Sequence, residues 1–374
     1  MVKRQWLWAP VLLFVAAFGW LFVTDYLQKA ETRRDDQRQV AVERIKRVLD
    51  RRGMMIPAVD GSLRNREART EVTGGLAKIG SAPERPKDTV VNYAVDPDSK
   101  AYFVCTFLER GGAFYANRHG TFSGPAESCR QDADPAAVDY VLDTKMTSAG
   151  ATAFLRADPA FVSKPFIQRK CAATSDDGQL QGCFTGNRIY LIDLPQQEIR
   201  PEVSVTAVHE MLHAAWESLG TAERQRLTGL LQDLVRRNPE LKEAAASYDD
   251  GSRINEIHSI AGTEQLDVGT ELERHYARYL HDRKLIVRRH LSYEKVLDDL
   301  TAEIERLKAE LIALERRAEA LMASGDIDAY NAFVEEYNAR APELVEEINA
   351  KVDRFNRLTE HTRPDGRVPT VRAR

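Results

Sequence analysis

Cysteine is scarce in this 374-residue chain, with four in all, and so is any excess of one charge: 53 Lys and Arg face 57 Asp and Glu, for a formal charge of −4. So few cysteines cannot build a disulfide scaffold, which needs a denser framework in a shorter chain. They also lack the two-residue spacing of a zinc ribbon or a redox pair. The charge balance gives no electrostatic case for duplex binding, which normally shows a strongly basic domain or face, so no nucleic acid is expected as a partner. Neither a phosphate-cradling Walker loop nor a Gly-x-Ser-x-Gly elbow occurs. Hydrophobic residues make up 43%, too many for a disordered chain, and the length suits about two domains. Long apolar runs are missing too, with one exception.

That exception is residues 5–24, QWLWAPVLLFVAAFGWLFVT, which carry no charge. Twenty helical residues span about 30 Å, the thickness of a bilayer's hydrocarbon core. Trp6, Trp8, Trp20 and Tyr26 lie toward the ends of the run, where amphipathic rings prefer the headgroup level. The run is longer than the core of a signal peptide, and Trp20, Leu21, Phe22 and Val23 are bulky where a signal peptidase wants small residues. Residues 1–25 are therefore expected to be an uncleaved, single-pass membrane anchor. Lys29, Arg33, Arg34, Arg38 and Arg44 follow it, which argues against moving the C-terminal side across, but long domains translocate largely regardless of charge. The cysteines come as two close pairs, Cys105 with Cys129 and Cys171 with Cys183, as disulfides in an oxidising compartment would. The expectation is an extracytoplasmic folded portion.

The rest reads as an α+β chain, mostly helical. Residues 26–88 are expected to hold a juxtamembrane helix, ended by Gly53 and Pro57, and then a Gly- and Pro-punctuated linker. From Thr89 to Phe122 short β-branched and aromatic runs alternate with turns, including Gly111-Gly112, which predicts a small antiparallel sheet. Asp134-Pro135 offers a cap and a first-turn proline for a helix from Pro135 to Lys145. Another helix is expected from Thr147 to Arg156, and a further strand from Arg188 to Leu194. From Pro201 onward nearly everything reads helical. Leu300, Ile304, Leu307, Leu311, Leu314, Ala318 and Leu321 form a heptad seam, interrupted at Ser324-Gly325-Asp326. A second stripe follows at Tyr330, Phe333, Tyr337, Leu344, Ile348, Val352 and Phe355. Residues 291–360 are thus expected to be an antiparallel, coiled-coil-like hairpin with arms of about 45 Å. It would pack on the rest of the domain, on a second copy or on a protein partner. Residues 89–290 would form the main domain, and residues 361–374 a basic tail.

Chemistry concentrates in VTAVHEMLHAAWESLG, Val205 to Gly220. His209 and His213 stand one helical turn apart, so both imidazoles project from one face toward one ion. Glu210 follows the first His, placed to take a proton from a metal-bound water without itself coordinating. The pattern is a zinc signature, and Zn²⁺ is the expected cofactor. A catalytic zinc normally has three protein ligands and one open position. Trp216 and Leu219 occupy the positions where one extended form of the motif has Gly and its third His, so the third ligand must lie elsewhere.

The segment SRINEIHSIAGTE, Ser252 to Glu264, brings in a resemblance. Asn255-Glu256, Ser259 and Gly262-Thr263 resemble the second zinc-site helix of the thermolysin-like zincins, the gluzincins. The likeness covers some sixty residues. It implies a zincin-like helical domain in which His209, His213 and Glu256 bind zinc, Glu210 is the general base, and a peptide or protein is the substrate. Two departures stand out. Ile260 occupies the place of an orienting Asp, a role left to His258 or Ser259, and the Gly comes one residue early. Glu264, on the same helical stripe eight residues on, is the competing third ligand. His275, Tyr276 and Tyr279 (with His281 nearby) are expected as donors to the transition state. The reading is a membrane-anchored zinc metallopeptidase. Its alternative is a non-catalytic, membrane-tethered interaction protein that uses the hairpin, with a structural or vestigial zinc.

Overall fold

A computed structural model describes residues 27–43, 45–47, 61–62, 91–96, 101–117, 120–129, 134–171, 181–193 and 199–360. The expected anchor at 5–24, most of the linker and the tail lie outside these residues. Among the described residues no helix is long and apolar enough to cross a membrane. The chain divides into two compact units between Leu155 and Arg156, inside the stretch that the sequence assigns to one domain.

The first unit is a meander beside helices. Strands β1 (Gly61–Ser62), β2 (Val91–Asp96), β3 (Ala101–Phe107), β4 (Ala113–Asn117) and β5 (Gly120–Gly124) pair in sequence order, all antiparallel. Gly111 and Gly112 turn the chain between β3 and β4 with φ of 95° and 76°, a region open to glycine at little cost. A side chain at Gly112 would also press on the Gly124 carbonyl. Every residue of β4 is buried, whereas β5 alternates, so β4 is covered on both faces. A helix, α1, runs through residues 27–43 and 45–47. Its buried Asp35 accepts hydrogen bonds from the backbone N–H groups of Glu109 (2.8 Å) and Arg110 (3.3 Å). The Arg110 Nε (3.1 Å) and Arg38 Nη1 (3.0 Å) also donate to it. Helix α2 (Pro135–Asp143) starts where expected, with the Asp134 side chain accepting from the Ala136 N–H at 2.7 Å. Helix α3 spans Ser148–Arg156. Phe103, Tyr115, Val138 and the bonded pair Cys105–Cys129 (Cα–Cα 5.7 Å) share one core.

The second unit is mostly helical. Its sheet is mixed, not antiparallel throughout: β6 (Ala160–Val162) pairs parallel with β8 (Arg188–Ile192), and β7 (Gly182–Thr185) pairs antiparallel on the other side. A parallel pair needs a crossover of a dozen or more residues, and here helix α4 (Lys164–Cys171) and β7 lie within it. Cys171 and Cys183 are bonded, with Cα–Cα 5.9 Å. Five helices follow: α5 (Arg200–Glu217), α6 (Thr221–Arg237), α7 (Pro239–Ala246), α8 (Arg253–Thr263) and α9 (Thr270–Tyr276).

The hairpin closes the chain. Helix α10 (Arg283–Ser324) starts at Arg283 rather than at 291, and α11 spans Ile327–Thr359. Leu300, Ile304, Leu307 and Leu311 pack against Leu344, Ile348, Val352 and Phe355, as the heptads require. Gly325 takes a left-handed φ of 72° at the tip, and Asp326 caps α11 on the Ala329 N–H at 3.0 Å.

Candidate metal centre

Helix α5 presents His209 and His213 on one stripe of its surface and apolar residues on another. Val205, Val208, Leu212 and Ala215 are buried, and Pro201 opens the first turn, where its missing N–H costs nothing. This apolar face lets α8 approach closely. A Cβ on Gly262 of α8 would collide with Leu212 and sit 3.0 Å from the Tyr276 ring. The approach brings Glu256, on the first turn of α8, opposite the two histidines.

The resulting distances suit an ion better than a hydrogen bond. Glu256 Oε2 lies 3.5 Å from His209 Nε2 and 3.4 Å from His213 Nε2, and the three ligand atoms fall within 4.8 Å of one another. Charge-assisted N–H···O bonds close to about 2.7–2.9 Å. A tetrahedral zinc with bonds near 2.0–2.1 Å instead sets its ligand atoms about 3.3–3.4 Å apart. The two imidazole centroids are 4.9 Å apart, with the rings edge-on. Two neutral imidazoles and a carboxylate are a donor set that zinc takes in catalytic sites. The residues present fit the metal.

Electrostatics follow from the crowding. Burial disfavours a charged His209, but Glu256, with Glu210 and Glu264 nearby, outweighs it and raises His209 to about 9. Burial alone would push Glu256 up. The facing imidazoles of His209 and His213 reverse this and hold its carboxyl well below the usual range. Burial raises Glu210 against the pull of the same imidazoles, and Glu210 accepts the Phe184 backbone N–H from β7.

Glu264 is not in this group. It faces His290 of α10, with Oε2 at 3.9 Å from Nε2, and the other ring nitrogen of His290 faces Glu202 Oε1 at 3.7 Å. Burial raises the Glu264 carboxyl, opposed by His290 and His209. Sequence reasoning passed over Glu202 and His290. Glu202 lies seven residues before His209 on α5, a helical repeat that could have found it. His290 sits in a helix whose pattern speaks only of packing.

The three expected transition-state donors, His275, Tyr276 and Tyr279, are all buried. His275 and Tyr279 are buried, and their rings lie 5.4 Å apart. The Tyr276 hydroxyl is fully buried and donates to the His258 carbonyl at 2.8 Å. His275 Nε2 and His258 Nε2 share a hydrogen bond of 2.9 Å, and Trp216 of α5 covers the His258 ring at 5.0 Å. Burial first, then Arg278, lowers His275 to about 4, with Glu223 opposing. His258 is likewise held neutral by burial and by the imidazoles around it. His281 is exposed. Neither His258 Nδ1 nor Ser259 Oγ finds a hydrogen-bond partner, so neither orients a ligand histidine directly. No family model matches the chain, and neither does any curated protein or solved structure.

Proposed function

We propose that this chain is a zinc metallopeptidase, tethered by residues 5–24 with its folded units outside the membrane. One observation carries the reading: the ligand atoms of His209, His213 and Glu256 gather within 4.8 Å of one another, and Glu210 directly follows the first histidine. A bound zinc would supply Lewis acidity, bringing a coordinated water near neutral pKa and polarising a substrate carbonyl. His209 and His213 hold their positions through one helix, and Glu256 through its close crossing with another. Glu210 takes the proton from the attacking water and returns it to the leaving amine. A purely structural zinc would have no use for a buried carboxylate in that place. The two disulfides support an oxidising compartment, where such bonds persist.

Metal analysis of the purified chain, with peptide hydrolysis measured in parallel, tests this. Glu210→Gln should keep its zinc and lose about 10²–10⁴-fold in hydrolysis. Zinc-free wild-type protein, or full activity in that variant, would overturn the reading.

A further inference from the structure

The facing surfaces of α5 and α8 carry a second polar layer. The first is His209 and His213 with Glu256, the second Glu202 with Glu264, to which α10 adds His290. Glu256 lies by the histidines and Glu264 by the start of α5, so the two helices run antiparallel. Seven residues separate Glu202 from His209, which at 1.5 Å per residue puts the layers about 10 Å apart.

The second layer is short of partners. Glu202 is 9% exposed, yet its Oε2 has no hydrogen-bond partner, and neither has His290 Nδ1. The gaps of 3.7 and 3.9 Å to His290 exceed the reach of a hydrogen bond. Among the described residues no Lys or Arg pairs with Glu202 or Glu264. His290 offers one positive charge at most, against those two carboxylates and Glu294 one turn further along α10. The carboxylates face opposite nitrogens of one ring, so a single metal ion could not gather all three groups. The layer is also open, because the Glu264 side chain keeps 31% of its surface exposed.

We propose that Glu202, Glu264 and His290 form an anionic subsite for a cationic group of the substrate, a Lys or Arg side chain. An extended peptide rises about 3.3 Å per residue, so the group would sit about three residues from the bond cut at the first layer. The proposal rests on the metallopeptidase reading for that register, and on Glu264 standing outside the metal's ligands.

The test uses the zinc-loaded full chain carrying Glu210→Gln, so that peptides bind without turnover. The probes are capped, otherwise neutral Ala/Leu hexapeptides with a single Lys walked through each position, and their Gln counterparts. Calorimetry should show one Lys position binding on the order of tenfold more tightly than its Gln partner, the worth of about 1.4 kcal/mol. Adding Glu264→Gln or Glu202→Gln should bring that ratio to about one with zinc content unchanged. Equal binding of Lys and Gln peptides at every position would overturn the subsite, and so would loss of zinc in Glu264→Gln. Hydrolysis by the wild-type chain is read separately. Cleavage without charge preference sinks the subsite alone, whereas charge-dependent binding without any cleavage sinks the peptidase and leaves the subsite standing.

Discussion

Two buried carboxylates, one in each unit, meet opposite fates. Asp35 has no exposed surface, and every direction it faces holds a donor: two backbone N–H groups and two guanidinium groups. Glu202 is almost as deeply buried, yet one of its oxygens has no partner. A buried charge is tolerated when hydrogen-bonded and costly when it is not. The first unit therefore spends its buried polarity on its own architecture, tying the β3–β4 turn to α1. In the second, Glu202 Oε2 on α5 and Ser259 Oγ on α8 are buried without a hydrogen-bond partner.

The hardest test of that contrast is metal occupancy. Glu256→Ala should lower zinc affinity by more than about a hundredfold, since even outer-shell losses cost 10–100-fold, while Asp35→Asn leaves zinc content untouched. Zinc retained by the first variant, measured by metal analysis, would break the comparison at its centre.

Acid should separate the units next. His275 is held near 4 in the folded chain but titrates near 6.5 when unfolded. Between those values the unfolded state binds the extra proton, so stability rises with pH and falls as pH drops from 6.5 toward 4. The loss carried by His275 is on the order of 3 kcal/mol, and His258, also lowered, adds to it in the same sense, so His275→Phe should reduce the acid loss read by hydrogen exchange without abolishing it. Asp35 behaves in the opposite sense. Burial would raise its carboxyl, but the N–H groups of Glu109 and Arg110 and the side chains of Arg110 and Arg38 pull it below its ordinary value. Its contribution is present above the unfolded carboxylate range and disappears as pH falls through the lowered value. The first unit should thus hold its stability down to about pH 4.

Asp35→Asn, which keeps the shape and removes the charge, should cost the first unit about 2 kcal/mol and leave exchange in α5 and α8 unchanged. Smallest of all, Gly229→Ala fills open space on an exposed turn of α6. It should stabilise the second unit by about 0.5–1 kcal/mol without moving zinc content, showing that site and stability can be varied apart.

Local spacing explains what could be read in advance. His209 and His213 are one turn apart, so their convergence needed only a helix, and the heptads from Leu300 to Leu311 needed only a partner arm. Glu256 and Glu264 share a stripe, and only the resemblance around Asn255-Glu256 favours the first; their periodicity does not tell them apart. The choice depends on how α8 crosses α5, which is set by Gly262 against Leu212. His290 was illegible for the same reason, since its meaning comes from two helices far away in sequence. The β6–β8 pairing escaped notice because Ala160–Val162 is three residues long and its partner lies beyond a crossover. Helix α10 extends ahead of the heptad seam, to Arg283, where Asp282 caps it on the Leu285 N–H at 3.0 Å, a start that a search for heptads does not see.

Helix α10 contains neither glycine nor proline over its 42 residues. His290 lies near one end, and Met322, at 63% exposure, lies near the other, about 50 Å away along a single unbroken ladder of backbone bonds. Such a rod has no internal joint to absorb a twist. Tip and imidazole are therefore parts of one continuous element, with no residue between them of the kind that kinks a helix.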